Sequence, residues 1–286
     1  MAVLFAVLVL GALGSKIPSD ADISARLEDA IRTQLHPESV RVTVKRRSSL
    51  STTFEQVDIA ISGFNADKLP LAMQAPAPST APAPSTAPAA TAAPAATAAK
   101  PRQGRQIRII AAHLTCEKFI VNGLPVRTLE LNGSEVNLPW QAVRAGVFQI
   151  SSARSVTGCV VVEQDGLTTF LRTLNLPITK PKVTISPREC RVNGVSRTFV
   201  KARIRLTGRL IARDGAVLYL DDPRLRVSVV PVPSFVSDRI LKDLNPLADL
   251  NQALQLPVPL VITRTLQQDG SLRIEGALQF PPPEKP

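Results

Sequence analysis

Aromatic side chains are scarce in this 286-residue chain, at 4%, with one tryptophan (Trp140) and one tyrosine (Tyr219). Proteins that hold single-stranded nucleic acid stack bases on aromatic platforms. The net charge of +11 therefore favours some other polyanion, and nucleic acid is not an expected partner. Histidine is scarcer still. His36 stands before Pro37 at a predicted helix end, where a helix-dipole contact is the ordinary role. His113 lies three residues before Cys116, with no second pair nearby to complete a metal site. No Gly-x-Ser-x-Gly elbow, Walker loop or Gly-x-Gly-x-x-Gly follows a predicted strand. The acidic pair Asp221-Asp222 precedes Pro223, where aspartate commonly forms a turn. A nucleophile, base and oxyanion or metal site do not come together. The expectation is a protein that is not an enzyme and needs no metal or cofactor.

The three cysteines, Cys116, Cys159 and Cys190, are too widely spaced for a local metal knuckle, and their odd number allows at most one internal disulfide. Cys159, between Gly158 and Val160, reads as a buried strand residue. Long apolar runs are missing as well. The longest is the start, MAVLFAVLVLGALGSK, apolar through Gly14 and too short to span a bilayer as a helix. Followed by Ala12-Leu13-Gly14, it resembles a secretory leader, without the basic segment such a leader carries. It reads as a signal or an uncleaved anchor, with a buried first strand as the alternative. Export to the cell envelope or periplasm, or attachment at a membrane, is the expected location.

What the chain does have is alternation. In Val200 to Leu210, VKARIRLTGRL, the cations Lys201, Arg203 and Arg205 alternate with Ala202, Ile204 and Leu206. Period two places one set on each face of a strand. Arg224 and Arg226 alternate with Leu225 and Val227, and Arg108 sits between Ile107 and Ile109. A sheet basic on one side and apolar on the other suits an anionic amphiphile. Each strand read singly is also the ordinary solvated face of a half-buried antiparallel sheet.

Strand-like runs occur at 40–44, 54–64, 105–114, 127–136, 156–165, 182–187, 190–195, 200–213, 216–230, 259–267 and 271–280. Asp214-Gly215 and Asp269-Gly270 are hairpin dipeptides between neighbouring runs. Three helices are predicted. Ile23, Leu27, Ile31 and Leu35 recur every four residues after Ser19, with Asp20 or Asp22 as cap, and His36-Pro37 ends that helix. Residues 166–175 align Leu167, Phe170, Leu171 and Leu174, and residues 234–250 carry Phe235, Val236, Ile240, Leu244 and Leu247. The tract 75–101 is built of Ala, Pro, Ser and Thr and offers nothing large to bury. It reads as an extended insertion in a strand-to-strand connection of one domain spanning 15–280, with 281–286 a tail. FIVNGLPVRTLELNG (119–133) faintly echoes CRVNGVSRTFVKARIRLTG (190–208). The fold class expected is α+β, with a curved antiparallel sheet wrapped over helices.

Several segments together resemble one known family. They are PESVRVTV (37–44), VEQDGLTTFLRTLNLP (162–177), LTGRLIARDG (206–215), Asn245-Pro246, Leu256-Pro257-Val258-Pro259 and the run from Gly270 to Gly276. In this order they resemble the LmeA-like phospholipid-binding family, across most of residues 20–280. The resemblance implies a cell-envelope protein of tubular-lipid-binding architecture, related in shape to bactericidal permeability-increasing proteins. There a strongly curved antiparallel sheet wraps a long helix and leaves an apolar groove for acyl chains. It implies no catalytic residues. The Ala/Pro/Ser/Thr tract is a departure from the family pattern.

On this reading, phospholipid and an anionic membrane surface are the partners. Burying one acyl chain supplies on the order of 10 kcal/mol at about 0.8 kcal/mol per methylene, whereas each surface cation near an anionic leaflet adds about 1 kcal/mol. Groove candidates are Ile23, Leu27, Ile31, Phe170, Leu171, Leu174, Phe235, Ile240 and Leu244, for which core packing is the competing role. Head-group or membrane-surface candidates are Lys45, Arg46, Arg47, Lys201, Arg203 and Arg205, with a solvated turn as the alternative for 45–47. Two further functions stay open: an envelope scaffold whose groove its own side chains fill, and a polyanion-binding module.

Overall fold

Helix α1 (Asp20–Leu35) begins at a capping box. Ser19 accepts from the Asp22 backbone N–H at 3.1 Å, and the Asp22 carboxylate accepts from the Ser19 N–H at 2.9 Å. Asp20, predicted to share the capping, does something else. It accepts from the backbone N–H of Arg46 in β1 (Ser39–Arg46) at 3.1 Å, while Ser24 accepts from Val44 and Glu28 from Val42. Four helical residues advance about 6 Å and two strand residues about 6.7 Å. A polar residue every fourth position can thus follow a strand edge N–H by N–H. The helix ends at His36, in the left-handed region at φ 46°, whose N–H donates to the Arg32 carbonyl at 3.0 Å.

The computed structural model describes residues 19–48, 52–66, 106–121, 123–139, 150–173, 178–196, 202–213, 215–227, 248–249 and 258–280. After β1 come β2 (Thr53–Ser62), β3 (Gln106–Val121), β4 (Leu124–Pro139), β5 (Ser155–Glu163) and helix α2 (Gln164–Thr173). Then follow β6 (Ile178–Ile185), β7 (Cys190–Ser196), β8 (Arg203–Arg213), β9 (Val217–Val227), β10 (Ala248–Asp249), β11 (Leu260–Gln268) and β12 (Ser271–Leu278). Sheet A has the order β1-β2-β3-β4-β5-β12-β11, and sheet B the order β10-β9-β8-β7-β6. All pairings are antiparallel except β2 with β3, which run parallel from Thr53–Arg108 to Ser62–Glu117. A parallel pair requires a connection that returns the chain along the strands. Here that connection is the stretch containing the Ala/Pro/Ser/Thr tract.

Helix α2 treats sheet B as α1 treats sheet A. Thr168 accepts from the Val183 N–H at 2.9 Å and Gln164 from the Ile185 N–H at 3.4 Å, again four helical positions against two strand positions. Both helices therefore cover an edge strand whose N–H groups would otherwise face outward unpaired. The sheets join through the Ile262 N–H to the Gly215 carbonyl at 2.7 Å, and through the Leu210 N–H to the Gln267 side chain at 3.0 Å. Buried side chains from both sheets and α1 form one continuous core, with Ile31, Ile107, Leu114, Leu138 and Leu272 each about 1% exposed.

The expected α+β class is not what forms. Strand accounts for 68% of the described residues against 16% helix, so the protein is mostly β, with two open sheets. The helices run along sheet edges because their polar residues match strand N–H spacing. Neither is wrapped by a strongly curved, tubular-lipid-binding sheet. The helix predicted at 234–250 lies outside the described residues except at Ala248–Asp249, which is strand and pairs with Leu218 and Val217. Asp221-Asp222 is no inter-strand turn: it sits inside β9 at an irregularity where Asp222 has φ 46°. The echo at Asn193-Gly194 also falls inside a strand, β7, whereas Gly123 (φ 74°) turns the β3–β4 hairpin.

Candidate functional site

The predicted groove residues separate into three groups. Ile23, Leu27 and Ile31 are core, at 6%, 3% and 1% exposure, on the helix that packs on β1. Phe170 and Leu171 on α2 are half-buried against the core. Leu174, Phe235, Ile240 and Leu244 lie outside the described residues.

One cross-strand row shows where the apolar interior is least covered. Val42, Ile59 and Leu114 are neighbours in register and fully buried. The row continues through Leu131, Gly158, Gly276 and Ile262, where both large side chains are only half-buried. Val160, Leu260 and Leu278 on the same strands are half-buried too. A Cβ on Gly158 would lie 2.6 Å from a Leu131 methyl, and one on Gly276 would lie 3.0 Å from a Leu260 methyl. The glycines thus let Leu131 and Leu260 lie close against the sheet, among the half-buried apolar side chains at the β5–β12–β11 end.

The cationic candidates also divide. Lys45 is exposed, its Nζ 3.4 Å from Glu55. Arg46 is committed to α1, with Nε 2.5 Å from Asp20 and a side chain 8% exposed. Desolvation works against the Asp20 charge, but the hydrogen bonds and charge of Arg46 outweigh it and hold that carboxyl below its ordinary value. Arg47 is exposed in the turn before β2, its N–H on the Thr53 carbonyl at 3.2 Å. Lys201 lies outside the described residues. Arg203 and Arg205 are exposed on β8, while Ala202, Ile204 and Leu206 are buried at 6%, 5% and 3%, as the alternation requires.

Around Arg205 the outer face of sheet B forms a cleft of about 510 Å³, lined by Arg188, Arg191, Arg205, Arg209, Arg224 and Arg226 with three carboxylates. Strand register assembles it: Asn193, Arg205 and Arg226 form one row, and Arg191, Thr207 and Arg224 the next. At Gly208 a Cβ would come within 2.6 Å of the Leu220 side chain and 2.7 Å of the Asp221 carbonyl. Glycine there lets β8 and β9 close at the irregularity that shapes the cleft. The sequence reading named only Arg205 among these arginines as a site. The others come from three strands and a turn, and alternation alone does not give their register.

The cysteines are free and buried. Burial pushes the Cys116 and Cys190 thiols up to about 12. Burial also raises Cys159, where the Arg273 charge opposes it and Glu130 and Glu275 reinforce it. His113 and Cys116 point to opposite sides of β3: the cysteine is in the core, and the exposed imidazole Nδ1 is 2.7 Å from the Asn132 Oδ1.

A family model described as LmeA-like phospholipid-binding matches residues 103–277, more than half of the chain. The chain belongs to that family. The LmeA-like region holds both surfaces described above, the half-covered apolar row and the arginine cleft. It leaves α1, β1 and β2 outside, so the match starts later than residue 20. LmeA-like proteins are a lipid-binding family and not an enzyme family. No curated protein and no solved structure matches the chain. Among the described residues, no helix is long and apolar enough to cross a membrane.

Proposed function

We propose that this protein is a non-enzymatic phospholipid binder of the cell envelope that carries or presents lipid during membrane assembly. The family match over residues 103–277 carries the reading. Acyl chains lie on the half-covered apolar surface of β4, β5, β12 and β11, where Leu131, Val160, Ile262, Leu260 and Leu278 are half-buried. Each methylene taken out of water contributes about 0.8 kcal/mol, so the apolar surface sets affinity. Exposed cations on sheet B, Arg203 and Arg205 among them, draw the protein to an anionic leaflet. Ile23, Leu27 and Ile31 are occupied in the core and take no part.

Organic extraction of the gently purified chain, with lipid mass spectrometry against a mock purification, tests this. Phospholipid near one molecule per chain is the expected result. A blank that persists after incubation with anionic liposomes would leave a scaffold whose interior is filled by its own side chains.

A further inference from the structure

The cleft on sheet B holds more positive charge than its own carboxylates neutralise. Each carboxylate there is already engaged: Glu189 with Arg191, Asp222 with Arg224 at 2.8 Å, and Asp221 with Arg213, outside the cleft, at 2.8 Å. Arg205 and Arg226 stand directly opposite each other on adjacent strands. Like charges in that position repel unless an anion lies between them. The Asn193 side-chain oxygen accepts from Arg205 Nε at 3.3 Å, which orients the guanidinium from one side. The Arg188 carbonyl accepts from Arg209 Nε at 3.4 Å and does the same at the cleft's other end. Guanidinium forks match phosphate oxygens in pairs. A space of about 510 Å³ is the size of a small-molecule site.

Six guanidiniums against three carboxylates leave an excess of three positive charges. A phosphodiester brings one negative charge. A phosphomonoester brings roughly 1.5 to 2 near neutral pH and presents three free oxygens. We infer that the cleft is a binding site for a phosphomonoester head group on a membrane lipid, preferred over a phosphodiester head group. The lipid source rests on the function proposed above, whereas the monoester preference rests on the cleft alone.

The test uses the full chain in flotation with phosphatidylcholine vesicles carrying either phosphatidic acid or phosphatidylglycerol, matched in surface charge. Binding to phosphatidic acid is expected to be stronger by about tenfold, the weight of one added charge-assisted hydrogen bond. Arg205→Gln combined with Arg226→Gln abolishes that preference, with the melting temperature confirming the fold. Equal binding to both vesicles, or a preference that survives the double substitution, overturns the inference. Glycerol 3-phosphate titrated by calorimetry separates the sources: affinity equal to that for phosphatidic acid vesicles would overturn the lipid assignment. Lipid extracted from the same preparations keeps the two claims apart. Extracted phospholipid without a monoester preference refutes the cleft and leaves the function standing. A monoester preference without extracted phospholipid does the reverse.

Discussion

Sheets A and B are built by the same alternation, yet their charges are arranged differently. The seven strands of sheet A carry eight basic and seven acidic residues, and the five of sheet B carry nine basic and three acidic. On sheet A the charges meet in pairs and triads. Glu135 lies between Arg108 at 3.0 Å and Arg154 at 3.3 Å, Arg127 meets Glu163 at 3.2 Å, and Arg273 meets Glu275 at 2.8 Å. On sheet B Asp221 and Asp222, together with Glu189 just before β7, are each taken up by an arginine, and Arg205 faces Arg226 across the strands. Solvated ion pairs of the sheet A kind add little to stability, at most about 1 kcal/mol each, but they cancel the field. Sheet B keeps its field, at some cost in repulsion. An outer face that only had to be soluble has no need of that cost, and the difference supports the proposal that sheet B is the surface that meets an anion.

Charge reversal breaks the comparison most sharply. Arg203→Glu with Arg205→Glu changes four charge units, which at about 1 kcal/mol each near an anionic leaflet amounts to roughly a thousandfold loss of vesicle affinity at low salt. Arg41→Glu with Arg264→Glu, an equal change on sheet A, is expected to cost less than about tenfold at the same low salt, because neighbouring carboxylates already cancel the field there. Sedimentation with anionic vesicles measures both, and equal losses would erase the distinction between the sheets.

The next effect is structural. Gly208→Ala forces β8 and β9 apart, because its Cβ would meet the Leu220 side chain and the Asp221 backbone. Overpacking of this kind costs about 1–3 kcal/mol, read as a lower midpoint in urea. Gly194→Ala, whose nearest contact is 3.2 Å, is expected to cost less.

The thiols give a pH test. Burial raises Cys116 in sheet A and Cys190 in sheet B alike to about 12. A thiol whose pKa is higher folded than unfolded contributes stability fully below its unfolded value. That stability declines as pH rises from about 9 toward about 12. Asp20 has the opposite sign: its contribution is present above the ordinary carboxylate pKa and lost as pH falls through the lowered one. Denaturation across pH measures both limbs, and Asp20→Asn removes its share of the acid one. At pH 8, alkylation followed by mass spectrometry should label Cys159, on the outer face, before Cys116 or Cys190. The smallest effect sharpens the comparison from the other side. Arg226→Gln relieves the cross-strand repulsion and raises stability by about 0.2–1 kcal/mol in the absence of anion.

Period-two alternation made the strands legible. Nine of the eleven strand runs read from the chain match observed strands to within three residues at each end; the run at 105–114 stops seven residues short of the end of β3, and the run at 182–187 overlaps β6, which starts at Ile178. Asp269-Gly270 turns the β11–β12 hairpin, with Gly270 at φ 74°. The helix from Asp20 was legible through its four-residue apolar repeat, but its role was not. Asp20, Ser24 and Glu28 form a second repeat on the same helix that only the β1 edge gives meaning. The apolar residues Ile23, Leu27 and Ile31, groove candidates with core packing as the competing role, are buried in the core. The fold class failed for the same reason, because propensity does not say whether a helix crosses a sheet face or follows its edge. The cleft was out of reach because Arg191, Arg205 and Arg226 become neighbours only through strand register.

The proposed division of labour puts acyl chains on the apolar surface and membrane choice on sheet B. The most direct measurement is made on one preparation of the Arg203→Glu/Arg205→Glu variant, scored for both vesicle flotation and extractable phospholipid per chain. Flotation lost with bound phospholipid unchanged is the predicted result. Loss of both in equal measure, or of neither, would contradict it.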